Sequence, residues 1–268
     1  VLVGALTAPY AILLDAASFV GSALLLFRIR AHEARPEPAE HPDMLRELKE
    51  GLAYVVRHRY WRAMAATTGA TNFFWSLVGS VILVYAVRNL GMSPAVIGLV
   101  ITLGSIGGLA GALFASRIGR RLGVGPTIVA ASVLFGPPLL LVPLASGGSA
   151  IPLFVAAFLF SSAGSTIYYI TGLSLIQTLT PERLLGRMNA SRRFIVLGTI
   201  PLGSLAGAVL ASRIGVHPTI WVGAVGACFC FLPIALSPIR GIRAMPTEPE
   251  PDVDFGGLPV PAAAHFDA

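Results

Sequence analysis

Five stretches of this chain carry no Asp, Glu, Lys or Arg: Ala63–Val87, Asn89–Ser116, Leu122–Pro181, Phe194–Ser212 and Ile214–Ile239. A helix crossing a bilayer needs about 20 mostly apolar residues. Four of the stretches hold one such helix each. The longest, Leu122–Pro181, is broken by SGGSA at Ser146–Ala150 and holds two. Six crossings follow, and the apolar run Pro9–Arg28 makes a seventh. Strands of a membrane barrel alternate apolar and polar residues over roughly ten positions, and these runs do not. Only 12% of the residues are charged, against about 25% in an average soluble domain. The chain reads as a polytopic all-α membrane protein.

The basic residues sort by loop. The segment from Arg28 to Arg62 holds eight Lys and Arg; SRIGRR adds Arg117, Arg120 and Arg121. PERLLGRMNASRR adds Arg183, Arg187, Arg192 and Arg193, and Arg240 and Arg243 follow the last crossing. The alternate loops hold only Arg88 and Arg213, so 17 of 19 basic residues lie on one side. Cytoplasmic loops carry the Lys and Arg excess. The segment 29–61, both arginine-rich loops and the C-terminus are therefore expected in the cytoplasm. The net charge of +6 expresses that orientation, and the lipid bilayer is the partner it implies. No basic helix or aromatic platform stands free of the membrane, so nucleic acid is not an expected partner.

One segment is written twice. GALFASRIG at Gly111–Gly119 stands against GAVLASRIG at Gly207–Gly215, and PTI follows each copy after a different gap, at Pro126–Ile128 and Pro218–Ile220. Three crossings separate the copies, which places them on opposite sides of the bilayer. The first continues RRLGVG and the second only VH, as the charge rule demands of a cytoplasmic and an external turn. Three helices repeated upside down form an inverted-topology repeat.

Helices are expected near 62–86, 94–115, 125–145, 151–178, 194–212 and 218–238. Ahead of them, DMLRELKEGLAYVVRHRYW sets Leu45, Leu48, Leu52, Val55 and Val56 on one face of a surface helix. Gly104, Gly107, Gly108 and Gly111, and again Gly203 and Gly207, have the spacing that lets helices approach closely in lipid. Pro137, Pro138, Pro201 and Pro233 should bend their helices. Cys228 and Cys230 point to different helix faces, and no His stands at ligand spacing, so no metal is expected. The apolar run near Val1 has no basic leader and no cleavage site; the expectation is a fragment whose N-terminal part lies upstream.

These elements resemble a known family. Six helices after a long cytoplasmic loop, with GxxxxSRxGRR (Gly111–Arg121) between the second and third, are similar to the C-terminal half of a major facilitator superfamily transporter. APYAILLDAASFVGSALLL (Ala8–Leu26), LRELKEGLAYVVRH (Leu45–His58) and TPERLLGRMNASRRF with PLGSLAGAVLA (Thr180–Ala211) resemble the branch of enterobactin exporters and drug-efflux proteins, the transmembrane secretion effectors. The resemblance implies a six-helix half of the major-facilitator fold, two inverted three-helix repeats, preceded by one transmembrane helix. Residues 1–28 would be the last helix of an N-terminal transporter half, the partner of this one, and 29–61 a cytoplasmic linker. Residues 62–239 would be the six-helix domain, and 240–268 a disordered cytoplasmic tail. The loop motif comprises Arg117, Gly119, Arg120 and Arg121, which act as a conformational latch or simply set topology. Ser116 stands where the family usually has Asp, which weakens the latch.

In this fold the first and fourth helices of a half border the cavity. Thr68, Asn72 and Ser76 share one face of the first, beside Phe73 and Trp75. The fourth carries Ser162, Ser165, Thr166, Tyr169 and Gln177. Thr68, Asn72, Ser76, Ser165 and Tyr169 are the candidates for an amphiphilic substrate path; interhelical hydrogen bonding is the alternative for each. Asp15, inside the predicted span Pro9–Arg28, either couples transport to protons or bonds a neighbouring helix.

Export of a small amphiphilic molecule of drug or siderophore type by alternating access, coupled to protons, is the leading expectation, in the plasma membrane. Import by the same fold, and a non-transporting scaffold or half-size partner protein, are the alternatives. No GxxxxGK[ST] loop is present, no cofactor is implied, and no nucleophile–base pair marks an enzyme.

Overall fold

The helices that end at Leu122, Phe135 and Ile214 stop where a glycine follows, not where charge begins. The computed structural model describes residues 8–28, 52–53, 55–180 and 182–246. Helix α1 spans Ala8–Arg28. Helix α2 spans Arg59–Val84 and winds on as a π-helical turn, Tyr85–Asn89. Ser93 caps α3 (Pro94–Leu122), its hydroxyl accepting from the Val96 amide at 3.4 Å, with Pro94 in the first turn. Helix α4 (Val124–Phe135) passes into a 3-10 turn at Pro137–Leu141, and α5 spans Ala150–Leu179. Helix α6 spans Glu182–Ile214, α7 spans Val216–Phe229 and the short α8 spans Leu232–Ala235. No strand occurs among the described residues. Among the described residues six spans are long and apolar enough to cross a membrane, α4 counted with its 3-10 turn and α7 with α8.

The arginine-rich segments are helix ends rather than loops, so α3 and α6 are longer than expected. After Ser116 nothing stops the helix until Gly123, which has φ 92°, a conformation costly for any residue with a Cβ. Upstream of Phe194 the backbone of α6 begins directly after Pro181. The prolines act unequally. Regular helix ends just before Pro137 and breaks just before Pro233, where the ring removes an amide and crowds the preceding turn. α6 runs on through Pro201.

The crossings form two triplets, α2–α3–α4 and α5–α6–α7, and their packing survives an exchange of the two. The first helix of each triplet lies against the second of the other: α5 on α3, and α2 on α6. Each also meets the other's third helix: α5 on α4, and α2 on α7. Glycines make the close seams. A Cβ at Gly107 would overlap the Leu159 carbonyl oxygen of α5, and one at Gly203 the Phe73 carbonyl oxygen of α2. Close backbone approach is therefore what both glycine stripes provide.

The duplicated turn sits at equivalent places in a register the sequence match did not suggest. Gly123 (φ 92°, ψ 158°) and Gly215 (φ 90°, ψ 166°) share one conformation. Thr127 Oγ1 donates to the Gly123 carbonyl at 2.7 Å, and Thr219 Oγ1 to the Gly215 carbonyl at 2.7 Å. GVGPTI thus pairs with GVHPTI, and Gly119 lies inside α3. The first copy has four additional residues, Arg120–Gly123 against none, about one helical turn. That turn carries both arginines.

The two turns occupy opposite ends of the bundle. At one end the amides of Val124 and Gly125 donate to the carbonyls of Arg243 (3.3 Å) and Ile242 (2.7 Å). The ordered chain therefore extends past residue 240, where the tail was expected to begin. At the other end His217 Nε2 lies 2.9 Å from the Pro143 carbonyl, and its ring stacks on Tyr85 at 5.5 Å. Tyr85 in turn donates to the Ala145 carbonyl at 3.2 Å.

Two apolar cores lie one above the other along the bundle. One gathers Trp61, Met64, Ile128, Leu175, Ile234 and Ile239. The other gathers Leu77, Tyr85, Val100, Leu139, Phe154 and Ile220. Between them, on α2, α4 and α5, runs a level of small and polar residues. Of the expected surface helix, Val55 is buried while Leu52 and Val56 are exposed; Leu45 and Leu48 lie outside the described residues.

Candidate functional site

Helix α2 sends a different face to each of three neighbours. Phe73 and Leu77 offer their carbonyls to the glycines of α6, and Phe74 and Val78 lie against Gly223 and Gly226 of α7. A third face meets α5: Met64 lies over Gly172, and Trp75 meets the Phe158 ring edge-on at 6.1 Å. Thr68 and Tyr168 join their hydroxyls at 3.0 Å on the same face.

A cleft opens where α2, α5 and α6 meet. Its cavity volume is about 40 Å³, and Trp61, Met64, Thr68, Tyr169, Ile176 and Ile195 are among its walls. Trp61 is fixed by its indole N–H, which donates to Thr180 Oγ1 at 3.2 Å. The Tyr168 hydroxyl also reaches the Met64 carbonyl at 3.4 Å. Rings continue from the cleft into the bundle. Tyr169 lies 6.4 Å from Phe135, and Phe135 lies 5.9 Å from Trp75.

The level between the two cores is polar but incompletely bonded. Thr67 Oγ1, Asn72 Nδ2, Trp75 Nε1 and Ser161 Oγ are all buried, and none has a hydrogen-bond partner among the described residues. Thr67, Asn72 and Ser161 stand on α2 or α5 between the residues that feed the two cores, and Trp75 packs against the second core. Leaving a buried polar group unpaired costs about 1–3 kcal/mol, so four such atoms on two neighbouring helices are a feature to be explained.

The structure brings together part of the expected path. Thr68 and Tyr169 line the cleft, and Asn72 stands one turn further along α2. Ser76 is half-buried another turn on. Ser165 donates to the Ser162 carbonyl in its own helix at 3.0 Å. Ser162 belongs to the seam with α3, donating to the Gly104 carbonyl at 2.6 Å, and Thr166 packs on Gly108 and Gly111. Gln177 is exposed. Asp15 is exposed on α1, its main-chain carbonyl accepting from Ser18 Oγ at 2.8 Å. Arg117, Arg120 and Arg121 are exposed, and the Arg117 guanidinium sits 5.8 Å from the Phe114 ring. Sequence reasoning missed Tyr168, Trp61 and Thr180. Tyr168 and Tyr169 are 100° apart on one helix, and only the α2–α5 crossing decides which bonds to Thr68. Among the described residues no three His, Cys, Asp or Glu side chains gather for a metal.

Six apolar crossings in two interlocked triplets, with a cleft beside their first helices, define one half of a helical membrane carrier. A family model, the Major Facilitator Superfamily, matches residues 64–264, and the chain belongs to that superfamily. No curated protein and no solved structure matches the chain.

Proposed function

We propose that this chain forms the C-terminal half of a secondary transporter that exports small amphiphilic molecules across the plasma membrane. Transport runs by alternating access and is coupled to protons. The reading rests on one observation: the cleft lined by Thr68 and Tyr169 opens beside the first helices of both triplets, whose packing is related by exchange. Two such triplets can rock against a partner half without rebuilding their own seams. Motifs at Ala8–Leu26, Leu45–His58 and Thr180–Ala211 support the branch of enterobactin exporters and drug-efflux proteins. In this reading α1 is the last crossing of the N-terminal half, and Asp15 is its candidate coupling group. The end that carries Arg120, Arg121, Arg240 and Arg243 faces the cytoplasm, as does the C-terminus.

The test is accumulation of fluorescent drugs or labelled siderophores in cells with and without the intact gene, with and without a protonophore. Lower accumulation that the protonophore abolishes is expected. Higher accumulation would make the protein an importer, and no difference for any compound would leave a scaffold. Asn72→Ala and Tyr169→Ala in the intact protein should slow transport, and unchanged rates would remove them from the path.

A further inference from the structure

The unpartnered polar atoms on α2 and α5 have a definite chemical sense. Two of the four, Asn72 Nδ2 and Trp75 Nε1, belong to N–H groups that can only donate. They stand three residues apart on α2, Asn72 about one turn and Trp75 about two turns beyond Thr68 of the cleft wall. The Trp75 ring is held between Phe135 (5.9 Å) and Phe158 (6.1 Å), and Phe135 leads back through Tyr169 to the cleft. A cation could lie on these ring faces, but it would leave both N–H groups unbonded and find no carboxylate on the helices that carry them. Between Arg62 and Ile239 the sequence has one acidic residue, Glu182, at the start of α6, far along the chain from Asn72 and Trp75.

We propose that this half of the carrier selects an aromatic ligand bearing a carbonyl, ether or anionic oxygen, accepted by the N–H groups of Asn72 and Trp75, and not an aromatic cation. The assignment rests on the transport reading and names the substrate chemistry for the same path. The ligand enters at the cleft between Thr68 and Tyr169, stacks along the rings of Tyr169, Phe135 and Trp75, and satisfies both donors with its oxygens. Stacked rings supply affinity without choosing among substituents, so the two donors set the preference. Donors kept dry and unbonded favour an acceptor strongly, because its oxygen exchanges water for two N–H partners already in place.

Binding to the purified full-length protein tests this with two probes of similar size, fluorescein as the oxygen-bearing anion and ethidium as the aromatic cation. Fluorescence polarisation should show fluorescein binding more tightly than ethidium. Trp75→Phe keeps an aromatic ring and removes the indole N–H, and Asn72→Leu keeps the branched shape and removes the amide N–H groups. Each should weaken fluorescein about fivefold to tenfold, the loss of one hydrogen bond, and weaken ethidium by a clearly smaller factor. Trp75→Phe is the milder variant and keeps the test valid should Asn72→Leu fail to fold. Ethidium binding as tightly as fluorescein, or fluorescein unaffected by Trp75→Phe, overturns the assignment. Transport stands apart: if cells with the intact gene still export a dye after that result, only the donor assignment falls. If both variants behave as expected but no compound moves across the membrane, the oxygen-accepting site stands and the transport reading falls.

Discussion

Gly107→Ala is the sharpest test of how these helices are held together. A Cβ built at Gly107 overlaps the Leu159 carbonyl oxygen and comes within 2.7 Å of both the Leu159 carbonyl carbon and Ser162 Oγ. Carbon contacts are most favourable at about 3.5–4.0 Å, so α3 and α5 must part by roughly 1 Å. Separation on that scale stretches the bond from Ser162 Oγ to the Gly104 carbonyl, now 2.6 Å, and bonds of this kind average about 0.6 kcal/mol in membrane bundles. Overpacking adds about 1–3 kcal/mol. Against this stands the helix-forming advantage of Ala over Gly, about 0.5–1 kcal/mol. The net expectation is a loss of about 1–3 kcal/mol.

Gly98→Ala is the internal control. It lies on the same helix with nothing within 4 Å of the added Cβ, so it should gain the propensity term and lose nothing. Reversible unfolding of the full-length protein in mixed micelles, followed by tryptophan fluorescence, gives both midpoints. The exchange of triplets adds a second requirement. A Cβ at Gly203 meets the Phe73 carbonyl oxygen and lies 2.9 Å from its carbon, so Gly203→Ala should cost a similar amount. Gly107→Ala within about 0.5 kcal/mol of Gly98→Ala, the range of an inert surface change, would refute the close-approach argument.

Three further outcomes follow from the turns and ends. Deleting Arg120–Gly123 removes about one helical turn and lets Gly119 take the role of Gly215, so the protein should stay folded; deleting Arg120 and Arg121 alone rotates α4 against its neighbours and should cost several °C in melting temperature. Cysteines placed at Arg120 and Arg240 should react with an impermeant maleimide from the same side and one at Arg213 from the other; labelling of Arg120→Cys and Arg213→Cys from one side would contradict the arrangement. His217→Ala removes a 2.9 Å contact to Pro143 and a stacked ring, worth about 1–2 kcal/mol, and should speed labelling of a cysteine at Leu144 more than one at Arg240.

The crossings were legible because a charge in hydrocarbon is costly and its absence over a long stretch has few other causes. Their ends were not, because charge marks the membrane boundary whereas Gly123, Pro137 and Pro181 mark the helix boundary. The two boundaries differ by about two turns at the end of α3 and by more than about three at the start of α6. The repeat was visible in ASRIG, yet those letters lie inside a helix in one copy and at its end in the other. The shared turn is fixed by Gly123 and Gly215, whose positive φ no pentapeptide match reveals. In the site, polar residues at helical spacing pointed to Thr68 and Asn72. The same signal included Ser162 and Thr166, which serve the glycine seam, because periodicity identifies a face without naming the helix it meets. Tyr168 was overlooked for the same reason.

The exchange of triplets fails at one instructive pair of positions. Gly125 and His217 are equivalent in the duplicated turn, but a Cβ at Gly125 would overlap the Ile239 carbonyl oxygen. At that end the chain is closed by main-chain bonds from Val124 and Gly125 to Arg243 and Ile242, which permit no side chain. At the other end the histidine itself makes the tie, reaching the Pro143 carbonyl in the segment after α4 and stacking on Tyr85 of the π turn. One fold of the chain is thus tied by backbone at the arginine-bearing end and by side chains at the opposite end. Main-chain ties at a tight turn resist separation along the whole seam, whereas a single ring-and-carbonyl contact can open by one rotamer change. If the two triplets rock as proposed, the greater motion belongs at the His217 end, and the labelling rates at Leu144 and Arg240 measure that difference directly.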